Sequence, residues 1–323
     1  MLSHFLILLL FFQAPQTATA RAKALLEAGK LKEARAALAG ADPAVPGNAY
    51  LLGLIDYRLH DYVPAARMLK AALPSLPEES PDYRETLRMI GQSEYQAGHM
   101  APAIVWLEKA RDAGAGGNEV LYMLGNSYLQ ARQLPKGRAC FAAIFGVKPD
   151  SAAAHLYTAP MLMRQEFEDD AIRELEAALA LDPKLPGAHF TLGEIAIYQA
   201  QIDRAIDQLH QEIAINPNFA MAYYRLGDAY TRRDDWAHAI PPLERAVWLD
   251  PTYSGPYILL GKSYLKTGDL TGAEAMLRRA VQLDPRNSSA HYLLGRVLIQ
   301  SGRTEEGKKL LQKSQELKEG PGQ

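Results

Sequence analysis

Five prolines, Pro149, Pro183, Pro217, Pro251 and Pro285, stand 34 residues apart. Three follow an aspartate (Asp182, Asp250 and Asp284), and an apolar pattern of helical spacing runs up to each. Proline fixes φ and has no N–H, so a proline just beyond a helical stretch ends it. A strict period of this length restricts the fold to a stack of small, alike units, each covering its neighbour's apolar face. A second series reinforces the first. Small residues recur in pairs twelve apart: Gly53/Ala65, Gly91/Ala103, Gly125/Gly137, Ala159/Ala171, Gly193/Ala205, Gly227/Ala239, Gly261/Ala273 and Gly295/Gly307. The first member of each pair lies on one helical pattern and the second on the next. Two antiparallel helices approach closely only where neither carries a bulky side chain, so the pairs predict the crossing points of helical hairpins. Gly98, Gly268 and Gly302, seven residues past the first small residue, mark the turns.

The segment Tyr223-Tyr224-Arg225-Leu226-Gly227-Asp228-Ala229-Tyr230, continued by Ala239, Leu243, Ala246 and Pro251, resembles the tetratricopeptide repeat. The next unit matches through Tyr257, Leu260, Gly261, Tyr264, Gly268, Ala273, Leu277, Ala280 and Pro285. The resemblance extends over residues 46–321 as eight windows: 46–79, 84–117, 118–151, 152–185, 186–219, 220–253, 254–287 and 288–321. Ser80 to Tyr83 form an insertion, and residues 21–45, with Leu25, Gly29, Ala34 and Leu38, resemble an incomplete amino-terminal unit. It implies an all-α, right-handed superhelical solenoid of about eight to nine helix-turn-helix repeats, with the first helices lining a concave face. The window 152–185 departs most, with Ala159 in the glycine slot and Pro160 inside the first helix. An internal proline deletes a backbone hydrogen bond, so this window is expected to bend the array and divide it into two stiffer halves. The last helical stretch, Thr304 to Lys313, is polar on most faces, as the end of a stack facing water requires.

Composition excludes several function classes. With 35 Lys+Arg against 37 Asp+Glu, the formal charge is −2, unlike a protein that neutralises nucleic-acid phosphates over a basic face. The one cysteine, Cys140, supports neither a disulfide framework nor a thiolate zinc site. Residues 1–20 contain no Lys, Arg, Asp or Glu and hold an apolar run from Phe5 to Phe12, then Pro15, then Ala18-Thr19-Ala20. The run is too short to span a bilayer, which needs about 20 apolar residues, and it resembles a signal peptide cut after Ala20. The expected locations are periplasmic or extracellular, without stable membrane insertion of the mature chain. An uncleaved amino-terminal tether, or a cytoplasmic chain with a misassigned start, are the alternatives.

No phosphate-cradling, dinucleotide, zincin or nucleophile-elbow motif occurs. His155, His189 and His291 share the slot that Tyr223 and Tyr257 fill elsewhere. Stacked helices lie about 8–10 Å apart, too far for neighbours to share a zinc with ligand distances near ~2.1 Å, so they read as replacements for an aromatic. Cys140 reads as a small core residue. The Asn287-Ser288-Ser289 sequon is a weak signal. Asp169/Asp170 and Asp234/Asp235 suit helix starts, where the dipole favours negative charge. No catalytic residue, metal or cofactor is expected.

Residues four and seven apart share a helix face, which assigns three groove positions per first helix. The leading position reads Tyr50, Arg88, Tyr122, Leu156, Phe190, Tyr224, Ile258 and Tyr292. Four further on come Leu54, Gln92, Asn126, Pro160, Glu194, Asp228, Lys262 and Arg296, and seven further on Tyr57, Tyr95, Leu129, Met163, Ile197, Thr231, Leu265 and Ile299. The expected partner-binding residues are Tyr122, Asn126, Phe190, Glu194, Tyr224, Asp228, Lys262, Tyr292 and Arg296. They give a neutral aromatic end, an acidic middle and a basic end completed by Lys266. The family's carboxylate clamp is absent: Arg88 and Gln92 offer a loose start, but Met123, Ala153 and Tyr157 fill the remaining places. The sequence therefore reads as a non-catalytic scaffold binding a protein or peptide. Its alternative is an accessory subunit of a cell-envelope enzyme complex, in glycosyl transfer or peptidoglycan machinery.

Overall fold

The structure is a computed structural model that describes residues 17–319. These residues hold eighteen α-helices, one short 3-10 turn at Leu73–Ser75 and no strand. The chain separates into two compact units, one up to Asp150 and one from Ser151 on.

The first unit contains four hairpins: α1 (Ala18–Glu27) with α2 (Leu31–Ala37), α3 (Pro46–Arg58) with α4 (Tyr62–Ala72), α5 (Pro81–Gln96) with α6 (Met100–Asp112), and α7 (Asn118–Gln130) with α8 (Leu134–Phe145). The second contains five: α9 (Ala152–Met163) with α10 (Glu168–Leu181), α11 (Ala188–Tyr198) with α12 (Ile202–Ile215), α13 (Ala220–Arg232) with α14 (Trp236–Leu249), α15 (Ser254–Thr267) with α16 (Leu270–Leu283), and α17 (Ser288–Gln300) with α18 (Thr304–Glu319). Within each unit, a hairpin's second helix packs on its own partner and on the first helix of the next hairpin.

Backbone chemistry fixes both ends of these helices. In the turns after α3, α5, α7, α9, α11, α13, α15 and α17, one residue takes the left-handed conformation: His60, Gly98, Arg132, Glu166, Ala200, Asp234, Gly268 and Gly302. The next N–H donates to the carbonyl five residues back, as in Asp61 to Asp56 (2.9 Å) and Arg303 to Leu298 (2.8 Å). This bond closes the helix end and satisfies a carbonyl that would otherwise lack a partner. The second helices α10, α14 and α16 stop at Asp182, Asp250 and Asp284, one residue before each periodic proline. Their carboxylates accept the N–H two residues on, at 3.0 Å for Lys184 and Thr252 and 3.2 Å for Arg286.

The hairpin crossings are closer than the twelve-residue pairs alone implied. A Cβ on Gly227 would lie 2.4 Å from Leu243 Cγ, and one on Gly53 or Gly91 would lie 2.7 Å from a carbon of Leu69 or Leu107. The bulky residue seated on each of these glycines is sixteen positions later, while the small residue twelve later lets the backbones approach. A Cβ on Gly307 would lie 2.6 Å from the Gly295 carbonyl oxygen. Ala65, Ala103, Ala205, Ala239 and Ala273 are fully buried.

Polar latches join successive hairpins inside each unit. Tyr264 Oη donates to Glu244 Oε1 (2.5 Å), Tyr128 Oη donates to Glu108, and Tyr230 Oη meets His210 Nε2 (3.2 Å). Lys70 donates to Glu94 in the corresponding place. Glu212 is fully buried, where Ala246 and Ala280 occupy the equivalent place. Its carboxylate accepts the N–H groups of Gly187 (3.0 and 2.9 Å) and Phe190 (3.2 Å), and so caps α11, whose own N-cap glycine has no side chain to do so.

The unit boundary lies one residue ahead of the 152–185 window. Helix α9 runs through Pro160, which is exposed, and the units separate between Asp150 and Ser151. Helix α1 starts at Ala18, with Thr17 accepting the Ala20 N–H as its cap (3.2 Å), and Thr19 Oγ1 donates to Asn48 Oδ1 (2.9 Å). The remainder of the expected signal segment, residues 1–16, lies outside the described residues.

Candidate functional site

In the first unit, the faces of α3 and α5 meet through polar side chains. Tyr57 Oη donates to Gln92 Oε1 (2.5 Å), and the same oxygen accepts an N–H from Arg88 (2.8 Å). Arg88 also donates to both carboxylate oxygens of Glu85, and this pairing raises the guanidinium's pKa above its ordinary value. Burial raises the Tyr50 and Tyr57 hydroxyls above the usual phenol range. On α7, Tyr122 stands edge-on to Phe141, with ring centroids 6.4 Å apart. Asn126 is nearly buried, and its Nδ2 donates to the Tyr122 carbonyl (2.9 Å).

The second unit carries a ladder of aromatic pairs that the first-helix pattern only half revealed. Phe190 packs on Phe219 at 4.9 Å and Tyr224 stands edge-on to Tyr253 at 5.3 Å. Phe219 and Tyr253 immediately precede α13 and α15, so each pair links one first helix to the entry of the next. Gly255 leaves room for this arrangement: a Cβ there would lie 2.8 Å from the Tyr253 ring. Burial, with Tyr253 adding to it, pushes the Tyr224 hydroxyl up to about 12. Two adjoining cavities share these two tyrosines. One of about 210 Å³ is bounded also by Phe219, Met221 and Pro256. The other, about 440 Å³, is bounded also by Ile258, Asp284 and Asn287.

The charges expected along this face are largely committed to neighbours. Glu194 is paired with Arg225 (2.9 Å) and Asp228 with Arg232 (3.1 Å), so the acidic middle is neutralised within the fold. An i,i+4 spacing and the adjoining first helix bring these arginines into range, which a reading of one helix at a time overlooks. Lys262 and Lys266 lie over the Trp236 ring at 5.0 and 5.4 Å, a cation–π arrangement. Tyr292 is exposed, with Arg296 and Lys318 over its ring at 5.9 and 5.5 Å. The third expected groove row is corrected in part. Leu129, Ile197 and Thr231 are buried, because the helix turns that position toward the hairpin crossing.

The remaining chemistry-bearing residues have structural partners. Tyr223 and Tyr257 each donate a hydroxyl to the carbonyl of the proline six residues earlier, at 3.2 and 3.3 Å, and His291 Nε2 meets Pro285 O at 2.9 Å. The other two histidines of this slot turn to their own second helices: His155 Nδ1 meets Glu174 Oε2, and His189 Nδ1 meets Gln208 Oε1, both at 2.7 Å. Cys140 is buried, and burial pushes its thiol up to about 11, away from thiolate chemistry. Among the described residues, no group of three or more His, Cys, Asp or Glu is placed to hold a metal. No helix among them is long and apolar enough to cross a membrane.

Sequence models described as tetratricopeptide repeat match residues 15–39, 122–189, 190–254 and 264–319. No curated protein matches the sequence. Among solved structures, a double mutant of MamA from Desulfovibrio magneticus RS-1 is 24% identical, covering 52% of this chain and 95% of its own, with a TM-score of 0.50. YrrB, described as a TPR protein with an unusual peptide-binding site, is 20% identical over 55% of this chain and 91% of its own, with a TM-score of 0.49. PilF of Pseudomonas aeruginosa is 17% identical over 60% and 88%, with a TM-score of 0.49.

Proposed function

This chain is an array of tetratricopeptide repeats, and on that premise we propose that it is a non-catalytic scaffold that binds an extended peptide or a segment of a partner protein on the first-helix face of its second unit. The observation that carries this reading is the pair of cavities sharing Tyr224 and Tyr253. An apolar floor with a few polar groups at its edge suits a peptide side chain, and aromatic rings supply contact area at small entropic expense. Phe190 and Tyr224 are the anchors. Lys262, Lys266 and Arg296 add positive charge toward the α15–α17 end, which favours acidic ligand residues there and speeds encounter.

The test is a quantitative pull-down from the native host's envelope fraction, comparing the unmodified chain with Phe190→Ala/Tyr224→Ala. The true partner is expected to bind the variant over tenfold more weakly, about 1.4 kcal/mol, with helicity unchanged by circular dichroism. Undiminished binding to the double variant, together with its loss in Trp248→Ala on an exposed second-helix site, would overturn the reading. We also propose export, supported by the apolar run and Ala18-Thr19-Ala20. Terminal sequencing of the exported chain should begin at Arg21; a soluble cytoplasmic chain that retains Met1 would exclude it.

A further inference from the structure

The amino-terminal hairpin is incomplete in a specific way. Its second helix, α2, has 7 residues, whereas the other second helices have 11 to 16. The missing length, at 1.5 Å rise per residue, is about 6 Å or more of helix. Its absence is felt by the next hairpin. At the seventh place of the windows that follow another hairpin in the same unit, Ile90, Leu124, Leu192, Leu226, Leu260 and Leu294 are buried to 5% exposure or less. Leu52, the same place in α3, is only half-buried. What covers this position elsewhere in each unit is the second helix of the preceding hairpin.

The space left open is a cleft of about 750 Å³ between α2 with its following loop and the α3–α4 hairpin. Its floor includes Leu38, Leu52, Leu59 and Met68, and Lys32 and Arg67 stand at its rim. Asp56 lies at the base, nearly buried, and is paired with Arg35 Nε at 2.8 Å, while Arg35 also reaches Asp61 at 3.3 Å. That arginine is committed. Lys32 and Arg67 are exposed and form no ion pair among the described residues. Asp56 lies within electrostatic range of Arg67 as well as Arg35, so the cleft presents an apolar floor with three cations, Lys32, Arg35 and Arg67, against one carboxylate in its lining.

We infer that this cleft is a docking site for an acidic amphipathic helix of a partner protein, which completes the truncated repeat by covering Leu52, Leu59 and Met68. The shape argument fixes a helix, since a helix covers the same position in the repeats that follow. The charge argument fixes its sign, because a basic helix would set like charges against Lys32 and Arg67 and be disfavoured. The site is in the first unit and does not depend on the aromatic face of the second.

The probe is a fluorescently labelled peptide of the α10 sequence, Glu168–Leu181. It is itself a second helix of this array, with five carboxylates, one guanidinium and an apolar stripe at Ala171, Leu175 and Ala178. Anisotropy titration with the full chain is expected to give saturable one-to-one binding that weakens as salt is added. Lys32→Glu/Arg67→Glu, both at exposed sites, should retain native helicity and weaken binding at least tenfold, while Arg84→Glu outside the cleft should not. The inference is overturned by absence of saturation up to about 1 mM, the weakest specific range, by equal binding to the double variant, or by equal binding of a peptide with its carboxylates replaced by glutamine. Loss of peptide binding in Phe190→Ala/Tyr224→Ala, with Lys32→Glu/Arg67→Glu unaffected, would assign the peptide to the second unit and also overturn it. Failure of the aromatic-face reading would show in the pull-down and leave this titration unchanged.

Discussion

Gly227→Ala sets two opposing effects against each other at one atom. In a helix interior, alanine is favoured over glycine by about 0.5–1 kcal/mol, because glycine loses more backbone freedom on folding. Gly227 sits mid-helix in α13, so propensity alone predicts a more stable protein. The crossing predicts the opposite. The added Cβ would lie 2.4 Å from Leu243 Cγ and 2.5 Å from Cδ2, where carbon atoms normally rest about 3.5–4.0 Å apart. Leu243 is fully buried, so it has no solvent to turn into and α13 must separate from α14. Overpacking of this kind costs about 1–3 kcal/mol, which leaves a net loss of about 0–2.5 kcal/mol, centred near ~1, after the propensity gain. Gly47, exposed in the first turn of α3 with nothing within 4 Å of its added Cβ, is the control. The same substitution there should be neutral or stabilising by up to about 0.5 kcal/mol. Urea unfolding is the assay, read by far-ultraviolet circular dichroism and by tryptophan fluorescence, with Trp236 and Trp248 on α14 reporting Gly227→Ala in a Trp106→Phe background and Trp106 on α6 reporting the control in a Trp236→Phe/Trp248→Phe background. A repeat stack need not unfold in one step, so the local fluorescence midpoint is the deciding quantity. Combining Gly227→Ala with Leu243→Ala should give a loss smaller than the sum of the two, with a coupling of about 0.5–3 kcal/mol. A Gly227→Ala chain that is stabilised as much as Gly47→Ala, or a strictly additive double variant, would refute the crossing.

Two further outcomes follow from backbone and charge. Ala200 turns between α11 and α12 at φ 57°, a conformation that costs an L-residue about 1–2 kcal/mol; Ala200→Gly should raise the urea midpoint, and Gly268→Ala at φ 91° should lower it. Glu274 ties α16 to the turn before α18, and the hydrogen bond from Arg303, assisted by Arg278, holds its carboxyl at about 2 instead of 4.5. A depressed carboxyl stabilises the fold in full above 4.5 and loses that contribution as pH falls toward 2. The advantage of the unmodified chain over Glu274→Gln, about 0.2–1 kcal/mol for surface pairs of this kind, should therefore be present at neutral pH and vanish at the acid end. An advantage independent of pH would remove Glu274 from the network.

The partner-binding residues illustrate which inferences a single chain pattern supports. Phe190 and Tyr224 were identifiable from their common place on successive first helices. Their mates Phe219 and Tyr253 were not, although they too stand 34 residues apart, because they precede their helices and carry no helical periodicity. The acidity assigned to Glu194 and Asp228 was legible as residue type only. Their neutralisation depends on Arg225 and Arg232, and for Glu194 on contact between two first helices 31 residues apart. Leu129, Ile197 and Thr231 were placed in the groove by a seven-residue spacing, but each also stands four residues after a crossing glycine, Gly125, Gly193 or Gly227, and therefore shares the face that packs the hairpin.

By itself the sequence determined the class of fold and the rhythm of its hairpins. Proline stops, small residues at crossings and turn glycines act through local backbone sterics, and these operate on a few neighbouring residues whatever surrounds them. The left-handed turns at His60, Arg132, Glu166, Ala200 and Asp234 lack glycine's signature; histidine and aspartate tolerate this conformation, whereas arginine, glutamate and alanine enter it at a cost that the hairpin's packing offsets. Only the tertiary structure decided which charges remain unpaired, where aromatic rings meet, and that a seven-residue α2 leaves Leu52 uncovered. Each of these depends on distances between residues remote in the chain, and such distances are set when apolar faces stack and exclude water, not by the order of residues along one helix.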